Sequence, residues 1–147
     1  MMNRVLMAAG AFAFMLSANI VPAHAGNKAS VEQFGFCNAA AVSQSGNRNK
    51  SFTHQRGKCN FARTIQRGFR NQAVTGQSGK RNEAETYQTG KRNVAGTAQF
   101  GNDHKAVTEQ NGTGNTAATI QAGSGQQAQT YQSGKHNMTI IIQGGYN

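Results

Sequence analysis

The chain has almost no proline, few acids and few large aliphatic side chains. Pro22 is the only proline in 147 residues, and Asp and Glu total 5 against 15 Lys and Arg, for a formal charge of +10. Past residue 25 no proline removes a donor from a β-ladder. The five acids are too scattered to form an acid/base pair. His54, His104 and His136 fall on three different phases of the repeat described below, so they do not converge on a metal or a substrate. No phosphate loop, zinc-ligand spacing or nucleophile motif occurs. Catalysis, cofactors, metals and a small-molecule substrate are therefore not expected. With so little apolar surface, composition alone suggests disorder, because burial could not offset the entropy of ordering the chain. The order of the residues overturns that reading.

The one long apolar run lies at the start. Arg4 precedes Val5 to Ile20, which includes Leu6, Phe12, Phe14, Met15 and Leu16, and Ala23-His24-Ala25 supplies small residues at an A-x-A site. This pattern reads as a secretory signal peptide over 1–25. A membrane anchor is the alternative. The run is short for a span, and the cleavage site follows it directly.

From residue 26 to 147 the chain repeats every eleven residues. Gln stands at Gln33, Gln44, Gln55, Gln66, Gln77, Gln88, Gln99, Gln110, Gln121, Gln132 and Gln143. Gly follows two residues later at Gly35, Gly46, Gly57, Gly68, Gly79, Gly90, Gly101, Gly112, Gly123, Gly134 and Gly145. Asn holds a third phase at Asn27, Asn38, Asn49, Asn60, Asn71, Asn82, Asn93, Asn115 and Asn137, with His104 and Gln126 as substitutes. Between Asn and Gln come Ala (Ala62 or Ala95, for example) and then Thr, the latter replaced by Val31, Val42 and Ile141 in the outer units. Self-similarity on this scale decides the architecture before any local propensity does.

In the frame N-x-A-x-T-x-Q, every second side chain lies on one face of a strand, so Asn, Ala, Thr and Gln point together. The four remaining residues, with their Gly, read as a tight turn. The expected strands are 27–33, 38–44, 49–55, 60–66, 71–77, 82–88, 93–99, 104–110, 115–121, 126–132 and 137–143. An eleven-residue helical period would place a Gly in every unit, at about 1 kcal/mol each, and is a poor rival. The expected fold is all-β: a β-solenoid of eleven strand–turn units, two per 22-residue coil, with two facing parallel sheets. The repeated face points inward, and the Asn and Gln amides stack into ladders, as in amyloid.

Cys37 and Cys59 are 22 residues apart at the same phase, hence directly above one another. Neighbouring rungs fall within disulfide range, so a bond stapling the first two coils is expected, two free thiols being the alternative. The turns stack Arg48, Arg70 and Arg92 on one side, and Lys58, Lys80 and Arg81 on the other. Such stripes read either as solvated gatekeepers against aggregation or as a non-specific, salt-sensitive site for polyanions. The final strand, with Met138, Ile140, Ile141 and Ile142, is uncharged and strongly β-prone, and reads as an assembly edge.

Gln77-Ser-Gly79-Lys-Arg-Asn82-Glu-Ala84-Glu-Thr86-Tyr-Gln88 resembles the repeat of curlin, the subunit of bacterial curli fibres, and the resemblance extends over 26–147. It implies a secreted subunit of functional amyloid on the surface of a Gram-negative cell, serving biofilm matrix and adhesion. Its implied partners are further copies of itself, a sister curlin subunit and the outer-membrane export machinery. The inward Gln and Asn would drive polymerisation. The chain departs from the family in two ways. Repeats begin at Asn27, so the non-repetitive address segment of enteric curlins is expected to be absent or reduced to a few residues, and the charge is basic, as in minor nucleating subunits, where major subunits are acidic. The resemblance leaves the major and nucleating roles open. A soluble β-solenoid adhesin that binds DNA, lipopolysaccharide or acidic polysaccharide is the alternative from another class. An ice-binding solenoid is disfavoured because the regular Thr shares its face with the inward Gln and Asn.

Overall fold

A computed structural model describes residues 26–145; the expected signal peptide lies outside them. Among the described residues the chain forms eleven strands joined by two-residue corners. They are β1 (Lys28–Phe36), β2 (Ala39–Asn47), β3 (Lys50–Lys58), β4 (Phe61–Phe69), β5 (Gln72–Lys80), β6 (Glu83–Lys91), β7 (Val94–Asn102), β8 (Lys105–Thr113), β9 (Thr116–Ser124), β10 (Gln127–Lys135) and β11 (Met138–Gly144). Odd strands make one six-stranded sheet, in the order β1-β3-β5-β7-β9-β11. Even strands make a five-stranded sheet, in the order β10-β8-β6-β4-β2. All neighbours are parallel and in register at an offset of 22 residues, so Gln33 lies beside Gln55 and Gln66 beside Gln88. The molecule is the expected two-sheet β-solenoid.

The interior follows from the strand period of two. Ala62, Ala73, Ala84, Ala95, Ala106 and Ala117 are buried, together with the Thr and Gln of the same strands. Alanine lets the sheets approach closely, and the intervening residues face solvent. Little apolar area is buried this way, so backbone ladders and amide bonds carry much of the cohesion.

Two expectations about the corners require correction. Strands β1 to β10 run nine residues rather than seven, because the ladder continues through the repeat glycine: Gly35 pairs with Gly57 and Phe36 with Lys58. Glycine therefore bends the end of each strand instead of forming a four-residue turn. It is obligatory because its φ is positive (111° at Gly35, 124° at Gly79) and because the rungs nearly touch there. A Cβ on Gly79 would lie 1.9 Å from the carbonyl oxygen of Gly101. The reversal itself is made by the last residue of each unit and the Asn that follows. Cys37, Arg48, Cys59, Arg70, Arg81, Arg92, Asp103 and His136 all take left-handed φ between 52° and 61°, and Gly114 and Gly125 hold the same place. Repeating the motif stacks these strained residues in columns, where from Cys59 onward the backbone N–H of each donates to a carbonyl one rung back, as Arg70 does to Asn47 at 3.0 Å.

Candidate functional site

The inward amides form two different devices. Each interior Gln donates from Nε2 to the Oε1 of the Gln one rung toward the C-terminus: Gln55 to Gln77, Gln77 to Gln99 and Gln88 to Gln110, at 2.7 to 2.8 Å. The same Nε2 reaches across the interior to a backbone carbonyl of the other sheet, as Gln77 does to Phe61 at 2.9 Å. The expected glutamine ladder is therefore present, and it has a direction. Asparagine behaves otherwise. Nδ2 of Asn71 donates to the carbonyls of Arg67 and Gly90, closing its own corner, and its Oδ1 accepts from the backbone N–H of Asn93. Asn is thus mainly a corner clamp that bonds to backbone, and amide-to-amide contacts occur at only a few rungs, such as Asn60 to Asn38 and Asn82 to Asn60.

His104 shows what that clamp requires. It is buried in an Asn position, with Nε2 beside the Phe100 carbonyl at 3.1 Å and Nδ1 facing the backbone N–H of Gln126 at 3.3 Å. With one ring nitrogen donating and the other accepting, imidazole imitates the amide, and this fixes the neutral tautomer with the proton on Nε2. Its repeat phase marks it as a structural substitute for Asn. His54 lies outward against Glu32 at 3.2 Å, and His136 sits on a corner. Among the described residues no three His, Cys, Asp or Glu gather where they could hold a metal.

The terminal rungs leave the ladders open. Val31 is 43% exposed, whereas Thr53, in the same column one rung on, is 1% exposed. Among the described residues no helix or loop covers either edge. On β11, Met138 and Ile142 are each 72% exposed and Ile140 is 62% exposed, while Thr139, Ile141 and Gln143 face inward and are half-buried.

The basic corners fall on the two opposite edges, as expected. Arg48, Arg70 and Arg92 stack after β2, β4 and β6, with Arg67 and Lys91 beside them. Phe69 lies between two of these cations, its ring centroid 5.8 Å from the Arg48 guanidinium and 4.9 Å from that of Arg70, which eases their repulsion. On the other edge, Lys58 and Lys80 pair in register, but Arg81 is occupied. Its Nε and Nη2 donate to both carboxylate oxygens of Asp103, one rung on, at 2.6 and 2.7 Å. That bidentate bond holds the Asp103 carboxyl below the usual carboxylate range. The edge after the even strands is therefore the less compensated of the two. On the outer face of the even sheet, Lys105 reaches Glu83 at 3.1 Å, and Arg63 stacks 5.6 Å from Tyr87. The Tyr87 hydroxyl donates to Glu85, and that bond, followed by burial, raises its pKa.

Cys37 and Cys59 stand one rung apart, as expected, but as free thiols rather than a disulfide. They are close enough to hydrogen bond, which is the largest cause of the raised pKa of Cys37.

The repeat that builds this site has a known counterpart. A family model described as the curlin associated repeat matches residues 79–112. The chain carries the curlin repeat. The matched stretch runs from the end of β5 through β6 and β7 and nearly all of β8, and the same frame of Gln, Gly and Asn runs through the described strands on both sides of it. No curated protein matches the chain. A curlin repeat folded as a β-solenoid is the architecture of a structural subunit, and it accounts for a molecule whose buried polar groups bond to one another along the stack.

Proposed function

We propose that this protein is a secreted structural subunit of curli-like amyloid fibres. It leaves the cell after loss of residues 1–25 and polymerises end to end into an extracellular matrix and adhesion fibre. The observation that carries this reading is the open stack: the inward columns, sealed in the middle rungs, end exposed at β1 and half-buried at β11. Edges of that kind, with no charge on β11 and no proline, template further strands. In an oxidising compartment the adjacent thiols of Cys37 and Cys59 would close into a staple for the first two coils. The test is assembly of the exported protein, followed by thioflavin T fluorescence and fibre diffraction. We expect a sigmoidal rise, a reflection near about 4.8 Å, and an intact mass that rises by two protons on reduction. A lasting monomer with a sharp thermal transition would overturn the fibre reading. A short lag without seeds would assign the nucleating role, and a long lag abolished by a sister subunit would assign the major one.

A second reading is supported by the uncompensated edge. Arg48, Arg70 and Arg92 form a cationic column suited to an extracellular polyanion, in the fibre or in a soluble adhesin.

A further inference from the structure

The described solenoid holds an odd number of strands, six in one sheet and five in the other. Within the molecule each eleven-residue unit is carried to the next by a half turn and half a rung. The odd sheet and the even sheet are therefore built from the same repeat. The C-terminal end is consequently a step: β11 stands half a rung above β10, with nothing over β10 among the described residues. The N-terminal end is the complementary step, with β1 leading β2.

Resting on the fibre reading, we infer that successive copies join with a half turn about the fibre axis. β1 of the incoming copy then pairs with β10, β2 pairs with β11, and the odd sheet of one copy continues as the even sheet of the next. Without the half turn, β1 would pair with β11, and the even sheet would be left with a strand-high gap over β10. Two further observations favour the half turn. In the rotated register Met138, Ile140 and Ile142 fall beside Ala39, Ala41 and Ser43 of the next copy, all uncharged. In the unrotated register they fall beside Lys28, Ser30 and Glu32. The half turn also brings the Asn27 backbone N–H of the next copy over Gln126. The Oε1 of Gln126 is buried without a partner in the single molecule, and it occupies the column position where an Asn Oδ1 accepts the N–H one rung on.

The direction of joining follows from the ladder. Gln donors point toward the C-terminal end and Gln acceptors toward the N-terminal end, so Gln143 Nε2 meets Gln44 Oε1 of the next copy only in head-to-tail order. Each copy adds five and a half rungs, a rise of about 26 Å. Corner charges and outer faces consequently swap sides at every junction.

Cysteine cross-linking of assembled fibres separates the two arrangements. Cys37→Asn and Cys59→Asn remove the native thiols; their backbone φ values suit Asn. In this background, Ser30→Cys with Gln129→Cys places thiols on neighbouring strands only if the half turn occurs. Ser30→Cys with Ile140→Cys does so only if it does not. All three side chains face outward and are exposed, and parallel neighbours lie within disulfide range. Mild oxidation of fibres should convert the Gln129→Cys variant into a covalent ladder of multimers on non-reducing gels and leave the Ile140→Cys variant monomeric. The reverse pattern overturns the half turn and leaves end-to-end assembly standing. Fibres without cross-links in either variant overturn joining through these edges. Absence of fibres in every variant and in the unmodified protein overturns the fibre reading itself.

Discussion

A buried amide in this interior is held by its neighbours above, below and across, so its loss is felt in three places. Replacing Gln77 by Ala strips the donor from Gln99 Oε1, the acceptor from Gln55 Nε2, and the cross-sheet bond to the Phe61 carbonyl. Buried groups left unpaired in this way cost about 3 kcal/mol together. Threonine in the neighbouring column is a different case. The hydroxyls of Thr97, Thr108 and Thr130 are buried without a partner, and the same column accepts Val31, Val42 and Ile141. Thr there supplies β-branched shape rather than a hydrogen bond. Thr97→Val should therefore raise stability by about 1 kcal/mol while Gln77→Ala lowers it, as read from guanidinium midpoints of the two variants beside the parent. A loss of stability in Thr97→Val would mean that the hydroxyl has a partner after all, such as an ordered water.

At the scale of the strand and its corner, glycine divides into two kinds that composition does not distinguish. Gly79 has φ +124°, and its Cβ would press into the Gly101 carbonyl, whereas Gly76, on the outer face of β5, has nothing within 4 Å. Gly79→Ala should destabilise by more than about 2 kcal/mol and block fibre growth, because the rungs cannot close. Gly76→Ala should be neutral or stabilising by up to about 1 kcal/mol, through the reduced freedom of the unfolded chain. Thermal melts and thioflavin T kinetics on the pair check both signs, and equal behaviour would contradict the assignment of the glycine column. This distinction also marks the limit of what the sequence discloses. The period of eleven gave the sheets, the register and the inward columns, because in-register stacking demands the same residue type every 22 positions. It did not locate the corner. A glycine at a fixed repeat phase suits a turn and a strand bend equally, so the phase alone does not single out the left-handed residues from Cys37 to His136. Asp103, Gly114 and Gly125 in that phase, residues of two types that tolerate positive φ or prefer it, are the signal the sequence offers. Asn reads as a ladder residue like Gln, because side-chain direction alone does not tell a bond to the next amide from a bond to the backbone.

For the whole molecule the decisive asymmetry is electrostatic. Both edges carry cations at the same repeat phase, but acids reach only one of them: Asp103 neutralises Arg81, while the column of Arg48, Arg70 and Arg92 has aromatic company and no carboxylate partner among the described residues. A chain of charge +10 will attract any polyanion at low salt, so affinity alone says little about a site. The salt dependence is more informative. Each cation that neutralises a phosphate of single-stranded DNA contributes roughly 0.7 to the slope of log affinity against log salt. Changing Arg48, Arg70 and Arg92 together to Gln should lower that slope by about 2. Changing Lys58, Lys80 and Arg81 should lower it less, since Arg81 already has its anion. Acid adds a control. Asp103 is held below the usual carboxylate range by Arg81, so the ion pair persists through mild acidification and is lost only as pH falls through that lowered value. Above that pH the two triple variants should differ, and below it, with Arg81 released in the parent, their slopes should converge. Equal slopes for both variants at neutral pH would show that polyanions are drawn by net charge alone and that the column after the even strands is a solvated guard against premature assembly.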